Sequence, residues 1–452
     1  MNRKIFKSIL ATLFAVATLT NAFAQKQEPY EMMVDGVKVI VQPSNNEIVQ
    51  IQTVFKGGVQ NYNANKAGIE SLAIRALTEC GTANDTKNSF KDKLDKVSGQ
   101  IYGRAGMDFS TFSLNCIKED LNVVWPLYQD AVTSPEFDEK EFNRIKQDAV
   151  NNIKEMASQP DYSISKMAKS TAFAGMNYAK DPMGTEASVK SLTAAEAKNY
   201  YKTLATKSRM LFVVVADIDR QEIEQKIHSL LSAIPQGQPF TLKKESFVAK
   251  ANTFKAEKKE LATNYIHAVA SGPAPGTKDY NAFVLAMRIF SDRHFLEVRT
   301  NNGLSYAPNS YFDGGLTPSA NIGVSTTEPN KYIQVLTKLI NETRKGFTDE
   351  EVKNMKTEYI TSQYYRQETN EAQASSLASN EVLHNNWKRA ITINEDLKSV
   401  TPKDVSAAFN KYLTNVTWVY QGDPSKVNPA FYTHQSVKQK LPPSSLSNKK
   451  IN

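Results

Sequence analysis

The sequence predicts an α+β fold: two tandem homologous domains, each a mostly antiparallel sheet with helices packed on one face. Three observations predict it. Strand-like and helix-like apolar patterns follow one another in blocks, with several hairpin turns between them. The same order of elements occurs twice, each copy spanning roughly 200 residues. The 452-residue chain is also long enough to build more than one core.

The first copy opens with strands at 37–41 and 49–55, rich in β-branched residues and joined by Pro43-Ser44-Asn45-Asn46. Residues 68–82, GIESLAIRALTECGT, form one amphipathic helix. Ile69, Leu72, Ala73, Ala76, Leu77 and Cys80 make its apolar stripe, Ser71, Arg75 and Thr78 lie opposite, and Gly81 stops it. A helix at 91–97 precedes a strand pair at 101–104 and 108–115. The helix at 121–132 is stopped by Ser134-Pro135. Asp138 opens a long helix to about residue 157, ended by Gln159-Pro160, and an irregular stretch surrounds residues 181–185. Thr193 and Glu196 form a capping box for the next helix. Residues 210–216 are a continuous apolar run that fits a buried strand, and a helix follows at 221–231. Residues 235–259 are polar and read as a linker.

The second copy repeats this order. The strand at 263–270 ends at Gly272-Pro273, as the earlier strand ends at Gly57-Gly58. The helix at 280–289 matches the one after Gly68. Gly303-Leu304-Ser305-Tyr306 matches Gly99-Gln100-Ile101-Tyr102, and Phe347-Thr348-Asp349 matches Phe137-Asp138-Glu139. Thr401 to Asp404 matches Thr193 to Glu196, and the strand at 417–420 matches the run at 210–216. The expected boundaries are a domain at 25–234, a linker at 235–259, a domain at 260–440 and a disordered tail at 441–452.

Residues 1–24 read as a signal peptide: Arg3, Lys4 and Lys7, a short apolar run, then Ala22-Phe23-Ala24 before Gln25. The expectation is export to a bacterial periplasm, with no membrane span. Setting those three cations aside lowers the formal charge from +8 to +5, spread along the chain. No basic block with interleaved aromatics points to nucleic acid. Cys80 and Cys116 sit on apolar patterns and read as two buried thiols, with a disulfide left open.

Several motifs in this order carry a resemblance. They are the Gly-helix-Gly-Thr segment, the Phe137-Asp138-Glu139 helix start, Ala216-Asp217-Ile218-Asp219 after the buried strand, and Arg299…Gly303-Leu304…Tyr306. Together they resemble the pitrilysin/insulinase metallopeptidases, or inverzincins, whose helix carries H-x-x-E-H. The resemblance implies the fold of the mitochondrial processing peptidases. It also implies where a zinc site would stand. Counted from Gly68, the two His positions fall on Ser71 and Arg75 and the catalytic Glu on Ile74. Counted from Gly81-Thr82, they fall on Leu72, Ala76 and Arg75. The third ligand, a Glu before Ile in the long helix, is replaced by Asn152-Ile153. Zinc needs imidazole, thiolate or carboxylate donors that converge, and neither register supplies them. Arg75 is then expected as a solvated or salt-bridged cleft residue, the alternative being a fixed cation that stands in the metal's place and binds a peptide carbonyl or C-terminus.

Arg299 and Tyr306 match the family's Arg/Tyr pair, which in relatives reaches across a closed chamber to hold the substrate carbonyl. The resemblance therefore implies a catalytically incomplete homologue with substrate-binding Arg299 and Tyr306 and no cofactor of its own. It implies a homologous zinc-bearing partner subunit and an extended peptide substrate. A non-enzymatic peptide-binding or scaffold protein of the same fold remains the alternative.

Overall fold

The computed structural model describes residues 28–433. The leader at 1–24 and the tail at 441–452 lie outside these residues.

The first half begins with β1 (Tyr30–Val34), β2 (Val37–Pro43) and β3 (Ile48–Lys56), then α1 (Ile69–Glu79) and α2 (Lys87–Asp95). β4 (Gln100–Ala105) and β5 (Phe109–Ile117) form a hairpin. Five helices follow: α3 (Leu121–Thr133), α4 (Glu139–Ser158), α5 (Pro160–Ala172), α6 (Glu186–Lys190) and α7 (Ala194–Leu204). β6 (Met210–Ala216) and α8 (Arg220–Ser232) complete it. The second half runs β7 (Thr253–Lys258), β8 (Asn264–Ser271), α9 (Asp279–Phe295), β9 (Asn309–Asp313) and β10 (Ser319–Thr326). It continues with α10 (Pro329–Thr343), α11 (Asp349–Arg366), α12 (Asn370–His384), α13 (Arg389–Lys398), α14 (Pro402–Tyr412), β11 (Val416–Gly422) and α15 (Ala430–Thr433).

The first sheet has the order β1-β2-β6-β3-β5-β4 and the second β7-β11-β8-β10-β9. Apart from β1, the two orders correspond strand for strand. Each contains one parallel pair, β2 with β6 and β7 with β11, among antiparallel neighbours. The repeat thus extends into a stretch that the sequence pattern assigns to a linker. β7, TFKAEK, is the counterpart of β2. It is an exposed sheet edge rich in Lys, so its composition is that of a solvated loop.

The long helix does end near residue 158, as its Gln159-Pro160 stop predicts. The chain does not then become irregular: Pro160 is the first residue of α5. Proline suits that position, since its missing N–H has no intrahelical partner there. α5 matters because of where it packs. It lies against β8 and β11 of the second sheet, and α12 of the second half lies against β3 and β6 of the first. Each sheet therefore has its own half's helices on one face and a helix lent by the other half on the opposite face.

β6 shows this in one strand. Met210, Phe212, Val214 and Ala216 enter the core shared with α1, α3, α7 and α8. Leu211, Val213 and Val215 point the other way, onto Ala374, Leu377 and Ala378 of α12. Period-two alternation thus feeds two cores at once, and each buried aliphatic side chain contributes about 1.5–3 kcal/mol. Val269 and Val419 of the second sheet join the cluster that holds Ile164, Met167 and Ala168 of α5. Polar contacts fix the exchange. The Asn370 Nδ2 amide donates to the carbonyl of Ile48 at 2.6 Å and to Asn46 Oδ1 at 3.0 Å. Lys38 meets Glu381 at 2.7 Å.

The two hairpin tips also meet. Asp108 accepts from the Tyr178 hydroxyl at 2.5 Å and from the backbone N–H of Leu316 at 3.3 Å. Burial pushes its carboxyl up to about 6. Cys80 and Cys116 are free and buried, and burial raises their thiols to about 12 and about 11.

Candidate functional site

Two places answer to the residues singled out in the sequence. The first is the cleft between α1 and α4, where the metal motif of the resembling family would stand. Ile74 is 1% exposed there. It packs under the edge strand β4 so closely that a Cβ on Gly103 would come within 2.2 Å of its Cγ2. Glycine at 103 lets the strand close over an aliphatic side chain where the catalytic carboxylate would be. Ser71 is half-buried beside it, and Asn152 is exposed on α4.

Arg75 crosses from α1 to α4. Its Nη2 meets Asp148 Oδ2 at 3.1 Å, and its Nε lies 3.9 Å from Glu79 Oε1. Arg144 of α4 bonds the same two acids, reaching Asp148 at 3.0 Å, and also bonds Glu141 at 2.7 Å. The Arg144 guanidinium holds the Glu141 carboxyl below the usual carboxylate range. Two guanidiniums and three carboxylates thus bind one another across the cleft. The carboxylates are spent on arginine, and the arginines offer no lone pair to a metal. Among the described residues no three of His, Cys, Asp and Glu are grouped so as to hold a metal ion. The donor set present does not fit zinc.

The second place is the end of α9. The helix widens into a single π-helical stretch, Leu296–Asn301, which carries Arg299. Such wide turns reset the direction of a side chain and recur at functional sites. Gly303 ends the stretch at φ +60°, a left-handed conformation that costs glycine nothing. The chain then doubles back, and Leu304 N–H donates to the carbonyl of Val298 at 2.9 Å. Tyr306 therefore precedes β9 and lies outside the sheet, unlike its repeat partner Tyr102 within β4.

This fold-back brings Arg299 and Tyr306 together. The Arg299 Cζ lies 4.2 Å from the Tyr306 ring centroid and 4.9 Å from that of Phe295. A guanidinium between two rings is held by its π faces, so its N–H edges stay free. Tyr306 is 79% exposed, and Phe295 and Leu296 are exposed beside it. No carboxylate among the described residues pairs with Arg299. The arrangement presents guanidinium and phenol donors on an apolar, exposed patch, which suits an oxygen-rich ligand.

One group went unread in the sequence. Glu70 of α1 is fully buried. It accepts from Asn61 at 3.1 Å and from the Ser110 and Tyr200 hydroxyls, and burial pushes its carboxyl up. It ties the start of α1 to β5 and α7. An acid interrupting the apolar stripe, two residues after Gly68, was the available signal.

Two family models match consecutive stretches of the chain. One, described as insulinase (peptidase family M16), covers residues 38–186, and the other, described as peptidase M16 inactive domain, covers residues 191–359. The probable mitochondrial-processing peptidase subunit beta of Arabidopsis thaliana is 21% identical over 34% of this chain, and the match spans 29% of that protein. The non-peptidase homolog YmxG of Helicobacter pylori is 20% identical over 71% of this chain and 76% of its own length. A solved peptidase M16 inactive domain from Pseudomonas fluorescens superposes with a TM-score of 0.80 at 19% identity, covering 88% of this chain and 98% of that one. The periplasmic protease PqqL from Escherichia coli superposes at 0.74 and 15% identity, covering 89% of this chain and 47% of its own. The chain belongs to the insulinase family of peptidases. Within that family it is an inactive-type homologue, lacking H-x-x-E-H in the half where the motif belongs.

Proposed function

We propose that this chain is the non-metal subunit of a heteromeric zinc peptidase in a bacterial periplasm. It pairs with a homologous zinc-bearing subunit, and the two enclose an extended peptide. The chain carries no cofactor of its own; the partner's zinc supplies the activated water. The observation that carries this is the 4.2 Å contact of Arg299 with an exposed Tyr306, in a chain whose α1–α4 cleft is occupied by ion pairs. The chain also matches about half of PqqL, a periplasmic protease, as one half of an enclosure would. Among the described residues no helix is long and apolar enough to cross a membrane.

In this role Arg299 and Tyr306 act on the substrate carbonyl. The Tyr306 O–H and the Arg299 N–H groups donate to its oxygen. Both bonds strengthen as negative charge gathers there, and they do so most in a cavity that excludes water. Phe295 and Leu296 supply apolar surface around the scissile bond.

The test is complementation. Purified alone, the chain cleaves no peptide. Mixed with a family member that has H-x-x-E-H and lacks the Arg/Tyr pair, it restores cleavage. Full activity of the isolated chain contradicts the proposal. Complex formation with turnover that ignores Arg299→Ala would support a scaffold instead.

A further inference from the structure

The α9–α11 cleft of the second half corresponds by the repeat to the α1–α4 cleft of the first, and it is filled differently. Two adjoining clefts, of about 510 and about 190 Å³, share Tyr280, Val284 and Tyr359 as a common wall. Tyr359 stands between the two clefts: Arg288 of α9 and Arg366 of α11 line the larger, and Arg389 of α13 lines the smaller. Burial raises the Tyr359 phenol, and the fields of all three arginines act against the rise.

These cations are incompletely neutralised. Arg288 lies with its Cζ 4.7 Å from the Tyr359 ring centroid, and neither it nor Arg366 has an ion pair among the described residues. Arg389 spends Nη1 on Asp396 at 3.0 Å and Nη2 on Asn281 at 2.9 Å. Its buried Nε has no hydrogen-bond partner. His384 stands beside it, its ring 4.9 Å from Tyr280 and its buried Nδ1 also without a partner. Burial, then the charges of Arg389 and Lys244, push the imidazole down to about 4, so it is neutral near pH 7. Buried polar atoms left unpaired are costly, and these two belong to side chains that line the smaller cleft.

Carboxylates share the larger cleft with Arg288 and Arg366. Asp292 and Glu358 line the larger cleft, and the Asp292 carboxyl is raised by burial and by Glu358, against the pull of Arg288. Glu358 and Arg366 are two helical turns apart on α11, about 12 Å. That is the reach of roughly four extended residues. Glu358 and Arg366 give the α11 wall an acidic and a basic end, and a bound chain turns its negative end toward Arg366; on the α9 wall Arg288 stands one turn from Asp292.

We infer that the larger cleft is a carboxylate subsite that takes the free C-terminus of a short peptide, with Arg288 and Arg366 as donors and the Arg389 charge behind their shared wall. The inference rests on the peptide-handling role proposed above and names a second binding place for it. A fixed guanidinium fork matches a carboxylate in two bonds, which an amide cannot replace.

The experiment is fluorescence anisotropy with the full chain and three labelled hexapeptides, all labelled at the N-terminus. One ends in a free carboxylate, one in an amide, and one in an amide with Glu at the penultimate position. The acid binds about tenfold or more tighter than the plain amide. In Arg288→Gln/Arg366→Gln the gap closes, while the melting temperature stays at the wild-type value. Arg299→Ala leaves the gap intact, so failure of the Arg/Tyr role and failure of this subsite are read separately. Equal binding of acid and amide overturns the inference, as does no binding of the acid. So does a gap that survives in the double variant or vanishes with Arg299→Ala. A Glu-bearing amide that matches the acid assigns the cleft to acidic side chains and overturns the C-terminal assignment.

Discussion

The cleft between α1 and α4 and the cleft between α9 and α11 are the same place in two copies of one fold. In the first, Arg75 and Arg144 meet Glu79, Glu141 and Asp148, and Ile74 lies sealed under Gly103. In the second, Arg293 and Glu351 join the two helices at 3.0 Å, Arg288 and Arg366 have no ion pair among the described residues, and beyond the end of α9 Arg299 is held by aromatic faces. The difference teaches how a fold loses one chemistry without losing its shape. Where a metal motif is gone, the cleft is knitted shut by ion pairs between the helices that would have carried ligands. The second cleft keeps one such pair between its helices and leaves two further arginines without one among the described residues.

The largest effect that would break this comparison is on turnover. With a zinc-bearing partner present, Arg299→Ala lowers peptide turnover by about 10²–10³-fold. Tyr306→Phe costs less, about tenfold, since the guanidinium remains. Steady-state rates on one fluorogenic peptide check both. Arg75→Ala, in the sealed cleft, leaves the rate within about twofold. A large loss from Arg75→Ala would erase the contrast.

Next comes the helix exchange. Leu377 of α12 is 2% exposed against the first sheet, so Leu377→Ala costs about 2–5 kcal/mol. The loss appears as one cooperative transition in calorimetry, because α12 and α5 bind each half to the other's sheet. A separate early transition confined to one half would show that the halves fold independently.

A smaller effect sits where the hairpin tips meet. Asp108 is raised in the folded state to about 6, above its unfolded value near 4. Its contribution is therefore complete below about pH 4 and is lost as pH rises through 6, amounting to about 3 kcal/mol. Thermal melts of Asp108→Asn between pH 4 and 7 should lack that decline. An unchanged slope would remove Asp108 from the account. The smallest effect is the stability cost of Arg75→Ala. It is at most about 1 kcal/mol, as for other half-exposed pairs, and chemical denaturation measures it.

Much of the fold was legible because its elements repeat and keep their periods. α1 announced itself through the stripe from Ile69 to Leu77, and β6 through an unbroken apolar run. Several elements went unread, and three of them show the physical reasons. α5 hid behind Gln159-Pro160, a helix stop that is also a helix start. β7 is a solvated edge whose polar residues carry no alternation. α12 falls in a stretch to which the pattern assigns no element, and its task, covering strands that lie 155 and 322 residues back from Asn370, is invisible to local periodicity.

The sites divide in the same way. Arg299 and Tyr306 could be paired from the spacing around Gly303-Leu304, because a family motif preserves it. Their shared aromatic seat with Phe295 needed the wide turn at the end of α9. Arg288, Arg366 and Arg389 lie on three helices. No sequence distance brings them together; only the packing of those helices does.

The central claim is that this chain lends donors to catalysis and holds no metal. It is tested most directly by elemental analysis of the purified, zinc-saturated and dialysed full chain, run beside a peptidase assay of the same sample. The account predicts no stoichiometric zinc and no cleavage until a zinc-bearing partner is added. One zinc per chain, with cleavage by the chain alone, would contradict it.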